Sequence, residues 1–203
     1  MPSPPRATPP GIDGNLKHVV SGGDDAEWMP FETRKLYTNA FIVQDGKVLL
    51  GYKKRGFGKH KYNGFGGKVE DGETSQEAAL RELEEEAGIT APLEYAGTLL
   101  FLSEGSDVAF HIDIYRAEEY SGTIAETDEM RPEWFALPSI NPQGPEASSP
   151  SIPFAQMWDT DVHWMPLLFS KTAFVGRADF KREGDVFAPH KWWFGVSADV
   201  ELP

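Results

Sequence analysis

From Lys35 to Gln44 the chain reads KLYTNAFIVQ, and after Asp45-Gly46 it resumes as KVLLGY. Two apolar runs joined by an Asp-Gly step predict a pair of strands closed by a tight turn. YAGTLLFL and VAFHIDIYRA, joined around SEGSD, predict a second strand pair, and PEWFALP predicts a further strand. TAFVGRADFK and DVFAPHKWWFGV read as a closing hairpin over REGD. One segment carries a strong helical signal, Ser75 to Ala87, with Thr74 and Glu77 in the Thr-x-x-Glu arrangement of a capping box and Gly88 at a helix-ending position. Many strands and few helices predict an α/β (α+β) fold, a mixed β-sheet sandwiched between helices rather than a doubly wound sheet.

The two remaining stretches lack such patterning. Residues 1–34 are rich in proline, glycine and acid without a periodic apolar face, and are expected to form a flexible leader, with Trp28 and Phe31 able to dock locally. Residues 35–203 then form the structured domain, interrupted at 139–152 by a Pro- and Ser-rich surface-loop insertion.

Composition narrows the function classes. The chain has 203 residues, no cysteine and a formal net charge of −13. Thiolate catalysis and disulfides are excluded, and the charge argues against a non-specific binder of polymeric nucleic acid, which needs a basic surface. No apolar run approaches the ~20 residues of a membrane helix, so no membrane partner is expected. A small anionic ligand remains compatible, because a bound cation can reverse the local field. One island is basic: KKRGFGKHK, Lys53 to Lys61, reads either as a solvated loop or as a phosphate-facing one.

The helix decides between such readings. At about 100° per residue, Glu82, Glu85 and Glu86 share an arc of roughly 100°, beside an apolar stripe of Ala79, Leu80, Leu83 and Ala87. Three repelling carboxylates destabilise an isolated helix, whereas hard divalent cations favour such oxygen clusters. Pairing with Arg81 on a solvated acidic face is the alternative.

The spacing of the whole segment, GKVEDGETSQEAALRELEEEAGI, matches the Nudix box at Gly67, Glu73, Arg81, Glu82, Leu83, Glu85, Glu86, Gly88 and Ile89. The chain therefore resembles the Nudix hydrolases. Over about residues 35 to 180 it is similar to their eukaryotic MutT-homologue branch, which hydrolyses oxidised purine nucleoside triphosphates such as 8-oxo-dGTP to the monophosphate and pyrophosphate. The resemblance implies the Nudix fold and a role in nucleotide-pool sanitation and the prevention of DNA damage. It also implies Mg²⁺, with Mn²⁺ as a substitute, held by Glu82, Glu85, Glu86 and the Gly66 carbonyl, with Glu129 completing the metal cluster or assisting the attacking water, and a loop-helix-loop braced by Glu73 and Arg81.

The same resemblance assigns the nucleotide pocket. Thr38, Lys53 and Phe65 line it, Phe57 and Phe101 form apolar walls, and Asn63 meets the base edge. Gly66, Gly67 and Lys68 lie along the phosphates. Trp158 stacks on the purine, a contact worth on the order of 1 kcal/mol, with Trp164 in the core. Here the chain departs from its relatives: their Trp-Pro-Asp-Asp becomes Trp158-Asp159-Thr160-Asp161, leaving Asp161 as the single acid and Thr160 with a hydroxyl. Tyr62 stands where relatives have Trp, and Ser103 where some have Phe. The expectation is that 8-oxo-dGTP remains a substrate while oxidised adenine nucleotides are handled less well.

Two rival readings stand beside this one. A Nudix pyrophosphatase of different or broader nucleotide preference would keep the box without the base-edge residues. A non-catalytic scaffold binding nucleotide or a partner would lose a box glutamate, and none is lost. A monomer acting on a small-molecule nucleotide in the cytoplasm, with nuclear or mitochondrial fractions open, completes the expectation.

Overall fold

The computed structural model describes residues 7–138, 149–184 and 186–198. Its strands are Leu16–Gly23 (β1), Thr33–Gln44 (β2), Lys47–Lys53 (β3), Tyr62–Asn63 (β4), Ile89–Thr90 (β5), Glu94–Ser103 (β6), Val108–Ala117 (β7), Ser121–Gly122 (β8), Met130–Ala136 (β9), Phe174–Glu183 (β10) and Val186–Ser197 (β11). Its α-helices are Ser75–Ala87 (α1) and Asp161–Phe169 (α2). The chain divides into two units. One comprises Tyr37–Tyr95 and Ile114–Trp158; the other comprises the residues up to Leu36, Ala96–Asp113, and the residues from Asp159 onward.

In the first of these units, β2 and β3 form the hairpin expected from Asp45-Gly46, with Val43 opposite Val48 and Gln44 opposite Lys47. Asp45 and Gly46 both have positive φ, 51° and 70°, which suits the right-handed twist of the flanking strands. β9 runs antiparallel along β3 from Lys47↔Ala136 to Lys53↔Met130, and β4 pairs with Gly51 and Tyr52. Helix α1 has the predicted limits. Glu77 N–H donates to Thr74 Oγ1 and Thr74 N–H to Glu77 Oε2, while Gly88 (φ 74°) donates to the Glu84 carbonyl. Its stripe of Ala79, Leu83 and Ala87 is buried with Ala40, Ile42, Leu49, Phe65 and Met130. Burial of Leu83 alone contributes about 2 kcal/mol, far more than helix propensity.

In the other unit β10 lies between β11, antiparallel, and β6, parallel, with Phe174 opposite Gly97 and Phe180 opposite Ser103. β1 pairs with β11, from Leu16↔Ser197 to Gly23↔Lys191. The segment read from sequence as an unpatterned leader thus carries a strand. Its pairing partner lies at the other end of the chain, where no local pattern announces it. Trp28 and Phe31 dock as well: the fully buried Arg177 guanidinium sits 4.9 Å over the Trp28 ring and 5.8 Å from that of Phe31. Arg177 also donates to the carbonyls of Pro10 and Met29 and to Asp179, itself fully buried, while Met29 N–H donates to Asp179.

Helix α2 was not expected. It is short, contains Pro166 and is apolar on several faces (Trp164, Met165, Leu167 and Leu168 are buried), so it lacks the one-sided period that marks an amphipathic helix. Trp164 is core, as expected, with its ring stacked on Phe174 at 5.3 Å. Most of the 139–152 insertion lies outside the described residues; at its end Pro150 accepts from Ala136 N–H and Ile152 is buried. No helix among the described residues is long and apolar enough to cross a membrane.

Candidate active site

The glycine-rich stretch before α1 is shaped by its contacts on both sides. Phe65 exchanges two backbone hydrogen bonds with Ala40, and Thr38 N–H donates to the Gly67 carbonyl. A Cβ on Gly66 would lie 2.0 Å from the Thr38 carbonyl oxygen, and one on Gly67 would lie 2.4 Å from Glu82 Oε1. Glycine at these positions lets the loop lie directly on β2 and directly beneath the helix carboxylates. Phe65, fully buried, anchors it.

The three helix carboxylates have different surroundings. Glu86 is buried, with Oε2 accepting from Gly66 N–H at 2.9 Å and Oε1 from Lys53 Nζ at 3.2 Å. Burial raises its pKa to about 7, against the opposing pull of Lys53. Glu82, half-buried, is also raised by burial. Glu85 is exposed. Arg81 serves this row: it grips Glu73 with Nε and Nη2, reaches Glu82 at 2.8 Å and Glu85 at 3.4 Å with Nη1, and donates to the Lys68 carbonyl. Glu73 in turn accepts from Glu70 N–H, closing the loop, and its pKa is lowered chiefly by Arg81.

Glu129 comes from the turn before β9, where Thr127 Oγ1 accepts from the N–H groups of Glu129 and Met130. Its two oxygens accept from Lys53 Nζ at 2.7 Å and Arg55 at 3.1 Å. Lys53 therefore touches both Glu86 and Glu129, and these partners outweigh its burial and raise its pKa. The basic loop is thus largely neutralised by neighbouring acids: Lys54 pairs with Glu126 as well. Among the described residues no set of three acids and histidines is gathered at metal-holding distance, because Arg81 and Lys53 divide the carboxylates between them. The donor set still fits a hard divalent ion. It offers a desolvated carboxylate in Glu86, half-buried Glu82, exposed Glu85 and a backbone cradle at Gly66-Gly67 that excludes side chains.

The base-edge candidates are equally specific. Asn63 Oδ1 accepts from Gly64 N–H and from Asn39 Nδ2 at 2.7 Å, which leaves the Asn63 amide nitrogen as the group to donate onward. Thr38 Oγ1 is buried with no hydrogen-bond partner among the described residues. Lys68 is exposed. The Trp158 ring is stacked on Phe57 at 5.3 Å and lies 5.0 Å from Lys61 Nζ, which also donates to the Met157 carbonyl. Phe57, expected as a pocket wall, is largely exposed and flanked by Gly56 and Gly58, both at positive φ.

Phe101, Thr160 and Asp161 belong to the other unit. Phe101 meets Phe180 edge-on at 5.4 Å. Asp161 opens α2, is buried and accepts from Trp164 Nε1 at 3.1 Å. Thr160, 1 % exposed, has a hydroxyl with no partner among the described residues. Sequence reasoning missed Asn39, Arg55 and Lys61. For Asn39 the signal was a polar residue inside an apolar strand; for Arg55 and Lys61 only the loop's folding reveals the partner.

Comparison with known proteins agrees with this geometry. Residues 33–155 match the family described as NUDIX domain. The oxidized purine nucleoside triphosphate hydrolase of Danio rerio is 47% identical over 161 residues, 78% of this chain and 94% of that protein. The enzyme of the same name from Mus musculus is 40% identical over 157 residues, 77% and 93% of the two chains. Among solved structures, the MutT protein from Bacillus halodurans superposes with a TM-score of 0.58 at 22% identity, covering 79% of this chain and 97% of that one, which establishes likeness of fold.

Proposed function

Because this chain belongs to the Nudix hydrolase family, we propose that it hydrolyses oxidised purine nucleoside triphosphates, 8-oxo-dGTP foremost, to the nucleoside monophosphate and pyrophosphate with Mg²⁺. The observation that supports this most directly is an intact loop-helix-loop, with buried Glu86 facing Gly66, in the same unit as the aromatic platform Trp158. The relatives at 47% and 40% identity, which carry that substrate in their names, support the base class.

The metal would be held by Glu82, Glu85, Glu86 and Glu129 with the Gly66 carbonyl, and Mn²⁺ can substitute. When bound it neutralises and orients the phosphates. The protein's own groups do the rest. Arg81 and Glu73 fix the helix against the loop, so the carboxylates meet the phosphates in one geometry. Water attacks a phosphorus of the anhydride chain and the bridging P–O bond between the α and β phosphates breaks; the water oxygen stays on the attacked phosphorus, its proton passes to solvent, and nucleoside monophosphate and pyrophosphate separate. The backbone of Gly66-Gly67 and the Lys68 side chain lie along the phosphates.

For the base, Trp158 supplies the stacking face and Asn63 a donor, while Thr38, Lys53 and Phe65 of the same unit line the pocket. Asp161 is the one base-edge carboxylate, since relatives' first acid is Thr160 here. A carboxylate accepts from the N1-H and N2-H of guanine; a second, protonated acid is what would adapt to an adenine edge. Steady-state kinetics on 8-oxo-dGTP, 2-oxo-dATP and dGTP test the reading. We expect kcat/KM for 8-oxo-dGTP to exceed the other two by about tenfold or more, the scale of one lost base-edge hydrogen bond to a charged group. Equal efficiency for the two oxidised purines would refute the narrowed specificity, and absence of turnover on all three would refute the substrate class. A monomer in the cytoplasm completes the proposal, with size-exclusion mass as its check.

A further inference from the structure

Lys53 occupies an unusual place for a residue of the nucleotide pocket. Its ammonium lies 3.2 Å from Glu86 and 2.7 Å from Glu129, two carboxylates that come from α1 and from the turn before β9. The backbone enforces this: Lys53 N–H donates to the Lys61 carbonyl, the Lys53 carbonyl accepts from His60 N–H, and Lys54 N–H donates to the Glu129 carbonyl. The remaining oxygens of the two acids are taken by Gly66 N–H and by Arg55. Lys53 therefore satisfies the two acids that would otherwise repel each other, one of them buried. Lysine suits a temporary occupant. Its charge is compact, sits on a flexible four-carbon stem and bonds without a fixed fork, whereas Arg81 is pinned to Glu73 by two parallel bonds.

We infer that Lys53 is the internal counter-ion of the metal site: it bridges Glu86 and Glu129 in the metal-free protein and is displaced when a divalent cation takes those carboxylates. This rests on the metal reading given under Proposed function. A divalent cation held by these acids would leave the ammonium surplus there, free to meet an anionic nucleotide. Metal loading thus releases a cation toward the substrate, so Lys53 positions the acids first and the nucleotide afterwards.

The test measures Mg²⁺ binding to the nucleotide-free, full-length protein by calorimetry, with the Mg²⁺-induced rise in melting temperature as a second readout. Lys53→Gln removes the competitor and is expected to bind Mg²⁺ about tenfold more tightly, while raising KM for the nucleotide. Lys54→Gln removes the same charge one residue away, from a pair with Glu126, and is expected to stay within about twofold of the wild type. Lys53→Arg keeps the charge and is expected to bind Mg²⁺ no better than the wild type. Unchanged Mg²⁺ affinity in Lys53→Gln, or an equal gain in Lys54→Gln, would overturn the inference. Glu86→Gln separates it from the reading beneath it: if that variant binds Mg²⁺ as the wild type does, the metal assignment itself fails, whatever Lys53 does.

Discussion

Arg81 holds Glu73 by two parallel hydrogen bonds, Nε to Oε2 at 3.1 Å and Nη2 to Oε1 at 2.7 Å, while its third nitrogen reaches Glu82. One side chain thereby ties the loop to the helix and orients a carboxylate of the row. Lysine cannot make both bonds at once. Arg81→Lys is expected to lower the melting temperature and to lower kcat by an order of magnitude or more. Glu73→Gln should show the same signature more weakly, since it still accepts one bond. Thermal melts and kinetics on the same preparations check both.

Glu86 makes the metal-free protein sensitive to pH. Its folded-state pKa is about 7 because of burial, against 4.5 for an unperturbed glutamate. Between those values the folded state keeps a proton that the unfolded state has released, so stability falls as pH rises from about 4.5 to 7 and then levels off. The contribution amounts to about 3 kcal/mol over that window. Glu86→Gln is expected to flatten that part of the curve, and Mg²⁺ to restore stability at pH 8 in the wild type only. Melts across pH, with and without chelator, decide it.

The ring of Phe57 lies on Trp158 at 5.3 Å, too close to admit a purine between them. A base that stacks on Trp158 from that side must move Phe57, and the flanking glycines permit it. Phe57→Ala is expected to lower KM for 8-oxo-dGTP by about two- to tenfold, the worth of an aromatic pair, with kcat nearly unchanged. Trp158→Ala should raise KM by a similar or larger factor. A higher KM in Phe57→Ala would mean that the ring is a wall for the base rather than an occupant of its place.

Thr160 is enclosed, 1 % exposed, with a hydroxyl that has no partner among the described residues. Thr160→Asp places two acids in succession with Asp161 and gives them a proton to share. The ratio of 2-oxo-dATP to 8-oxo-dGTP turnover is expected to rise about threefold or more, accompanied by a lower melting temperature from burying a second carboxylate.

Much of this is legible in the sequence, for identifiable reasons. Helix α1 announces itself because cap, stripe and stop lie within one short segment, and the spacing from Gly67 to Ile89 names the site's carboxylates. What could not be read depends on distant partners. β1 has no pattern of its own and exists because β11 is there to pair with. The buried Arg177 could not be distinguished by sequence from a surface arginine of β10, since its partners Pro10, Met29 and Trp28 come from the opposite end of the chain. Likewise the acids of the site were readable, but not which cation stands on which acid: Lys53 and Arg55 reach Glu129 only once β3 and β9 are side by side.

The pairing of β1 with β11 also governs how the protein is made. A ribosome delivers β1 before, and β11 after, Tyr37–Tyr95 and Ile114–Trp158, so the unit that contains both strands stays incomplete until residues 186–197 have emerged. Until then the nascent chain carries Trp28, Phe31 and an unpaired strand edge. Pulse-labelled release of C-terminally truncated chains should show protease resistance in the central unit first, and in the N-terminal segment only when residues 186–197 are present.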